Sequence, residues 1–152
     1  MWPVQQCGLF NNVAWFLRKF PLFPIPGSGD YQVQPVYVGD VAAQAVAAGK
    51  SQENLIADSA GPDIYTYRDM VKLILKATGS RSKLVHVPPE MALLLSKTAS
   101  YFLRDVTLTR DELEGLMDGL LVAESSPSGA TSLAKWLEDS GTTLGRRYES
   151  EI

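Results

Sequence analysis

The 152-residue sequence predicts a single helix-rich α/β (α+β) domain. Three observations predict it. Apolar residues recur at helical spacing in several stretches that begin at capping residues and end at glycine or proline. Segments that read as strands are few and very short, too few for a complete doubly wound sheet. No linker, repeat or low-complexity run divides the chain, and with 45% apolar residues a chain of this length can bury one core.

In chain order, Leu9, Phe10, Val13, Phe16, Leu17 and Phe20 form the apolar stripe of a first helix over 9–20. Pro21, Pro24 and Pro26 forbid its continuation, and PGSGD at 26–30 reads as a loop. YQVQPVYV (31–38) predicts a short strand that Pro35 confines to an edge. DVAAQAVAAG (40–49) predicts a helix with Asp40 at its positive end and Gly49 at its stop. ENLIADSA (53–60) predicts a strand that ends at Gly61 and Pro62.

The next unit carries the clearest local signals. Thr66 to Asp69 resembles a capping box with a shortened acid, opening a helix over 67–78 that Gly79 stops. KLVHV (83–87) predicts a brief strand, and Pro88-Pro89 opens a helix to about residue 103. Thr109-Arg-Asp-Glu112 is a full capping box, followed by Leu113, Leu116, Met117 and Leu120 at one face. LLVAES (120–125) predicts a strand. Thr131 is the expected cap of a last helix that turns Leu133, Trp136 and Leu137 inward and closes at Gly141. The polar residues 142–152 are expected to form a loose tail.

Composition narrows the function. A net charge of −3 argues against a nucleic-acid partner, which needs a surplus of Lys and Arg on one face. One cysteine, Cys7, permits neither an intrachain disulfide nor a cysteine-based zinc site, so the expected setting is reduced and cytoplasmic. His86 is the only histidine, so no histidine-based metal cluster is expected, and no G-x-S-x-G elbow accompanies it. No apolar run approaches the roughly 18 residues of a spanning helix. Four of the five phenylalanines and two of the three tryptophans fall in the first 23 residues, with Arg18 and Lys19 the only charges there. Such a segment suits packing on another domain or subunit better than anchoring on a membrane surface, because two charges attract anionic lipid weakly.

Four segments, GLFNNVAWFLRKFPLFPIPGSG (8–29), QPVYVGDVAAQAV (34–46), GPDIYTYRDMVKLI (61–74) and LTRDELEGLM (108–117), carry a further signal, and TSLAKWLEDSGTTLGRRY (131–148) continues it. Together, over residues 8–148, they resemble the C-terminal half of atypical extended short-chain dehydrogenases/reductases, the NAD(P)-dependent epimerase/dehydratase-like proteins. The subgroup is the one related to the Rossmann-type accessory subunit of respiratory complex I. The resemblance implies a substrate-binding-type domain of a nucleoside-diphosphate-sugar epimerase-like protein that lacks the Rossmann cofactor half. NAD(P) is then implied for a full-length relative and not for this chain.

The family's chemistry has sequence requirements that can be checked. The G-x-x-G-x-x-G turn that cradles the cofactor diphosphate is absent; Gly27 and Gly29 form a lone G-x-G between prolines and an acid. The family's redox chemistry uses a tyrosine followed four residues later by lysine, which lowers the phenol pKa. Tyr31, Tyr37, Tyr65, Tyr67, Tyr101 and Tyr148 are followed at that distance by Pro35, Val41, Asp69, Val71, Asp105 and Ile152. No catalytic, cofactor-binding or metal residue is therefore expected in this chain. The resemblance implies that the substrate side is carried by Asn11, Asn12, Gln34 and Tyr37, whose amide and phenol groups suit a sugar, diphosphate or quinone-like ligand. The arginine that sugar-nucleotide epimerases carry before V-x-D is missing from residues 31–35.

Two other readings stand beside this one. The chain is a non-catalytic interaction module that dimerises, or docks on a partner or membrane complex, through its aromatic N-terminal face. Alternatively it carries a small quinone or lipid between that segment and the helix at 90–103. The expected partners are accordingly a Rossmann half or a second copy.

Overall fold

The computed structural model describes residues 8–51, 56–103, 109–124 and 126–149. Six helices and four short strands follow one another in these residues. They are α1 (Gly8–Lys19), β1 (Leu22–Pro26), β2 (Gln32–Val33), α2 (Val38–Lys50), β3 (Tyr65–Thr66), α3 (Tyr67–Thr78), β4 (Lys83–Val87), α4 (Pro89–Leu103), α5 (Arg110–Met117) and α6 (Leu133–Ser140). This is the mixed, helix-rich class the sequence predicts.

The strand β1 lies where the prolines suggest only a break. LFPIP pairs in parallel with β4, from Leu22 opposite Lys83 to Pro26 opposite Val87. Lys83 N donates to Pro21 O, and Gly27 N donates to Val87 O. The odd-numbered residues therefore face β4, and the missing N–H groups of Pro24 and Pro26 fall on the open edge, where no ladder bond is lost. Phe23 and Ile25 turn into the core in the same alternation. The second pairing is smaller: β2 and β3 run antiparallel, Gln32 opposite Thr66 and Val33 opposite Tyr65.

One core joins these pieces. Val13, Ala14 and Leu17 of α1 meet Met70, Val71 and Ile74 of α3, with Phe23 and Ile25 of β1 and Leu133 and Leu137 of α6 closing around them. Burying an aliphatic side chain of this size stabilises by about 1.5–3 kcal/mol. α3 is fixed at both ends: Thr66 Oγ1 accepts from Asp69 N at 3.1 Å, and Gly79 (φ 66°) supplies the left-handed stop.

The chain departs from the sequence expectation at five further places. The strand predicted over 31–38 shrinks to Gln32–Val33, because Tyr37 already caps α2. Of the strand predicted over 53–60, residues 53–55 lie outside the described residues. Residues 56–60 are irregular, with Ala60 O accepting from Ser128 N and Gly129 N. Residues 120–124 turn rather than extend, because α5 closes at Asp118 and Gly119 takes a φ of 75°; residue 125 lies outside the described residues. Thr131 does not cap α6; Ser132 holds that position, and the Thr131 hydroxyl donates instead to Asp40 Oδ1 at 3.1 Å.

The fifth departure is the largest. Residues 142–149 are not a loose tail. Leu144 is fully buried in the core, and Arg18 of α1 reaches across to it, its Nε donating to Leu144 O at 2.8 Å and its Nη2 to Gly141 O and Thr142 O at 3.2 Å each. These carbonyls lie at the cap of α6 and in the turns just after it, where no helical N–H reaches them, and the guanidinium satisfies them. Gly145 then passes so close to α1 that an added Cβ would sit 2.4 Å from the Ala14 carbonyl carbon, and its φ of 71° suits glycine alone. Residues 150–152 of the predicted tail lie outside the described residues.

Candidate functional site

The four polar residues expected to face a substrate do not converge. Asn11 and Asn12, on α1, bind the C-terminal segment. Asn11 Nδ2 donates to Arg147 O at 2.8 Å, and Asn11 Oδ1 accepts from Gly145 N at 2.9 Å. Asn12 repeats the pattern one step further: Nδ2 donates to Glu149 O at 2.9 Å, and Oδ1 accepts from Glu149 N at 3.0 Å. Each side-chain amide thus acts as a surrogate peptide group for the segment. At 2% exposure Asn11 is out of reach of a ligand.

Gln34 uses its amide in the same way at another place. Its Nε2 donates to Gly61 O at 2.8 Å, its Oε1 accepts from Ala123 N at 3.0 Å, and its own N–H donates to Leu121 O at 3.0 Å. It ties 61 and 121–123 to β2. Tyr37 caps α2 through its backbone, and its ring lies over Gly39, where a Cβ would come within 2.4 Å of Cε1. The Tyr37 hydroxyl makes no hydrogen bond among the described residues.

Asp40, the acid of the V-x-D segment, also has a structural partner. Oδ2 accepts from Ala130 N at 2.9 Å and Thr131 N at 2.8 Å, which holds the loop before α6 against the start of α2. The Thr131 N–H, helped by the Ala130 N–H and the Thr131 hydroxyl, keeps the Asp40 carboxyl below its ordinary pKa against the opposing effect of desolvation. Sequence spacing alone places Asp40 near a helix dipole. Its partners, ninety residues on, leave no local signal.

In open parallel sheets the carboxyl ends of the strands are the usual ligand position. Beyond β1 and β4 this position is filled by the chain's own contacts. His86 Nδ1–H donates to Gly27 O at 3.0 Å, and Arg68 Nη2 pairs with Asp30 Oδ1 at 3.0 Å. Tyr31 and Tyr67 stack there with ring centres 5.3 Å apart. Burial pushes the Tyr67 phenol up to about 12 and raises that of Tyr31 as well. A proton-passing tyrosine needs the opposite shift, toward neutrality. Among the described residues no three His, Cys, Asp or Glu side chains gather as a metal site, and no helix is long and apolar enough to cross a membrane.

What the chain does present is apolar surface. Much of the aromatic N-terminal segment is taken up internally: Trp15 meets Tyr148 edge-on at 5.4 Å and Phe16 at 5.2 Å, and Phe16 stacks on Phe20 at 5.8 Å. The largest uncovered element is α2. None of its thirteen residues is buried, no charge lies between Asp40 and Lys50, and Val38 and Val46 are 57% and 59% exposed. A helix in water ordinarily hides one apolar stripe. This one turns toward the chain the side that carries Asp40 and Gln44, which are bonded to Thr131 and Ser59, and leaves alanines and valines outward.

Comparison with known proteins bears on whose surface this is. The chain is 24% identical over 129 residues to NADH dehydrogenase (ubiquinone) 1 alpha subcomplex subunit 9, mitochondrial, of Arabidopsis thaliana. It is a distant relative of that subunit. The match takes in 78% of this chain and 32% of the relative, so the chain spans about a third of the relative's length. No family model matches the chain. The likeness supports, at the level of the family, the resemblance carried by the segments between residues 8 and 148.

Proposed function

We propose that the chain is the substrate-side, non-catalytic half of an NAD(P)-dependent epimerase/dehydratase-like protein, and that it works docked through α2 against a dinucleotide-binding half. The observation that carries this reading is the uncovered α2, an almost uncharged helix with no buried residue in this chain. Apolar surface of this kind marks an interface. The distant likeness to a dehydrogenase subunit supports the family. The lack of the glycine turn and of the tyrosine–lysine pair in this sequence supports that division of labour. Of the four expected substrate-side residues, Tyr37 keeps an uncommitted polar group, and it stands at the start of that same helix.

The first test is calorimetric titration of the chain with NADH and NADPH. No binding is expected at micromolar concentrations, and a micromolar dissociation constant for either cofactor contradicts the proposal.

A second reading, an interaction module within a membrane complex, is favoured by the relative's name, which makes that protein a subunit of a ubiquinone-linked dehydrogenase. It uses the same helix. The two readings part on the partner: a dinucleotide-binding half in the first, a neighbouring subunit in the second.

A further inference from the structure

We propose that the groove between α4 and the start of α5 binds a long-chain fatty carboxylate. The groove is half open to solvent and offers about 540 Å³, within the roughly 300–1,000 Å³ usual for small-molecule sites. Glu90, Leu93, Leu94, Lys97 and Ser100 line it from α4, and the cap residue Thr109 and Arg110 from the start of α5. The five α4 residues follow helical spacing, so they form one continuous face. That face is not needed by the fold: among the described side chains of α4 only Ala92 is buried, and Leu94 is 65% exposed.

The charges on the groove select the ligand. Lys97 has no ion pair or hydrogen bond among the described residues. Arg110 has only a 3.7 Å pairing with Glu114 between exposed side chains, an arrangement that contributes little. Thr109 is already committed, its hydroxyl and N–H both bonded to Glu112 in the capping box, and Ser100 is engaged with a partner of its own. Polar recognition therefore falls to two cations, offset by the one acid Glu90. That acid lies seven residues before Lys97, about 10 Å along the helix at 1.5 Å per residue. The lining carries a single positive charge in excess on a chain whose net charge is −3. A ligand with one carboxylate meets Lys97 and Arg110, while its apolar chain lies over Leu93 and Leu94. A space of this size suits one small molecule rather than a docked helix.

Calorimetric titration with dodecanoate, kept below its micelle concentration, tests this against dodecanol, which has the same chain without the charge. One equivalent of dodecanoate is expected to bind, with dodecanol and the Lys97→Gln/Arg110→Gln variant each weaker by roughly tenfold. Both substituted side chains are exposed, so the variant is expected to keep the wild-type melting temperature. Equal binding of dodecanol and dodecanoate, undiminished binding by the double variant, or no binding of dodecanoate overturns the proposal.

Discussion

Replacing Asn11 by alanine strands the buried Gly145 N–H and the partly buried Arg147 carbonyl, and an unmet buried group costs about 1–3 kcal/mol. The expected loss is roughly 2–3 kcal/mol in urea unfolding, with a smaller loss for Asn12→Ala at its more accessible site. Gly145→Ala should cost at least as much, since the alanine meets both an unfavourable φ and the backbone of α1. Asp40 adds a dependence on pH. Its folded-state pKa is lowered, so its contribution is present above the unfolded value near 4 and is lost as pH falls through the lower folded value. Asp40→Asn is expected to flatten the acid limb of a stability–pH curve, and an unchanged limb would count against the loop-holding role. At this scale the sequence is least informative. A side-chain amide has one donor and one acceptor face whether it meets a sugar or a peptide group, so Asn11, Asn12 and Gln34 carry the same signature in either role. Only the fold reveals that their partners are backbone groups, up to 137 residues away in the sequence.

Elements whose signals are local are read correctly from the sequence. Thr109 and Glu112 form the reciprocal capping box their spacing predicts, and Thr109→Ala is expected to destabilise by about 1 kcal/mol in chemical unfolding. Gly79 stops α3 in the left-handed conformation for the same kind of reason. β1 was illegible because proline masks the alternation of Phe23 and Ile25, and only the register with β4 shows that the prolines fall on the free edge. The C-terminal segment was illegible because its polar composition hides one decisive apolar residue, Leu144, and because the groups that hold it belong to α1. For α2 the sequence predicts the helix and even its acid near the positive end, but an apolar helix reads alike whether it is covered or bare.

Taken whole, the molecule has a core around α1, α3, β1 and α6, and a helix that shares none of its buried residues. The polar residues proposed from the resemblance mostly hold the chain to itself, which leaves α2 as the surface proposed to meet another domain or subunit. A bare face of this kind, with no other half beside it, should pair with a second copy at raised concentration. Sedimentation velocity over a concentration series, comparing the wild type with Val46→Glu, tests this most directly. Val46 is exposed, so the substitution should leave unfolding within about 0.5 kcal/mol of the wild type. The account predicts that the wild-type chain associates as concentration rises while Val46→Glu remains a monomer. A wild type that stays monomeric throughout, or a variant that associates equally well, would contradict it.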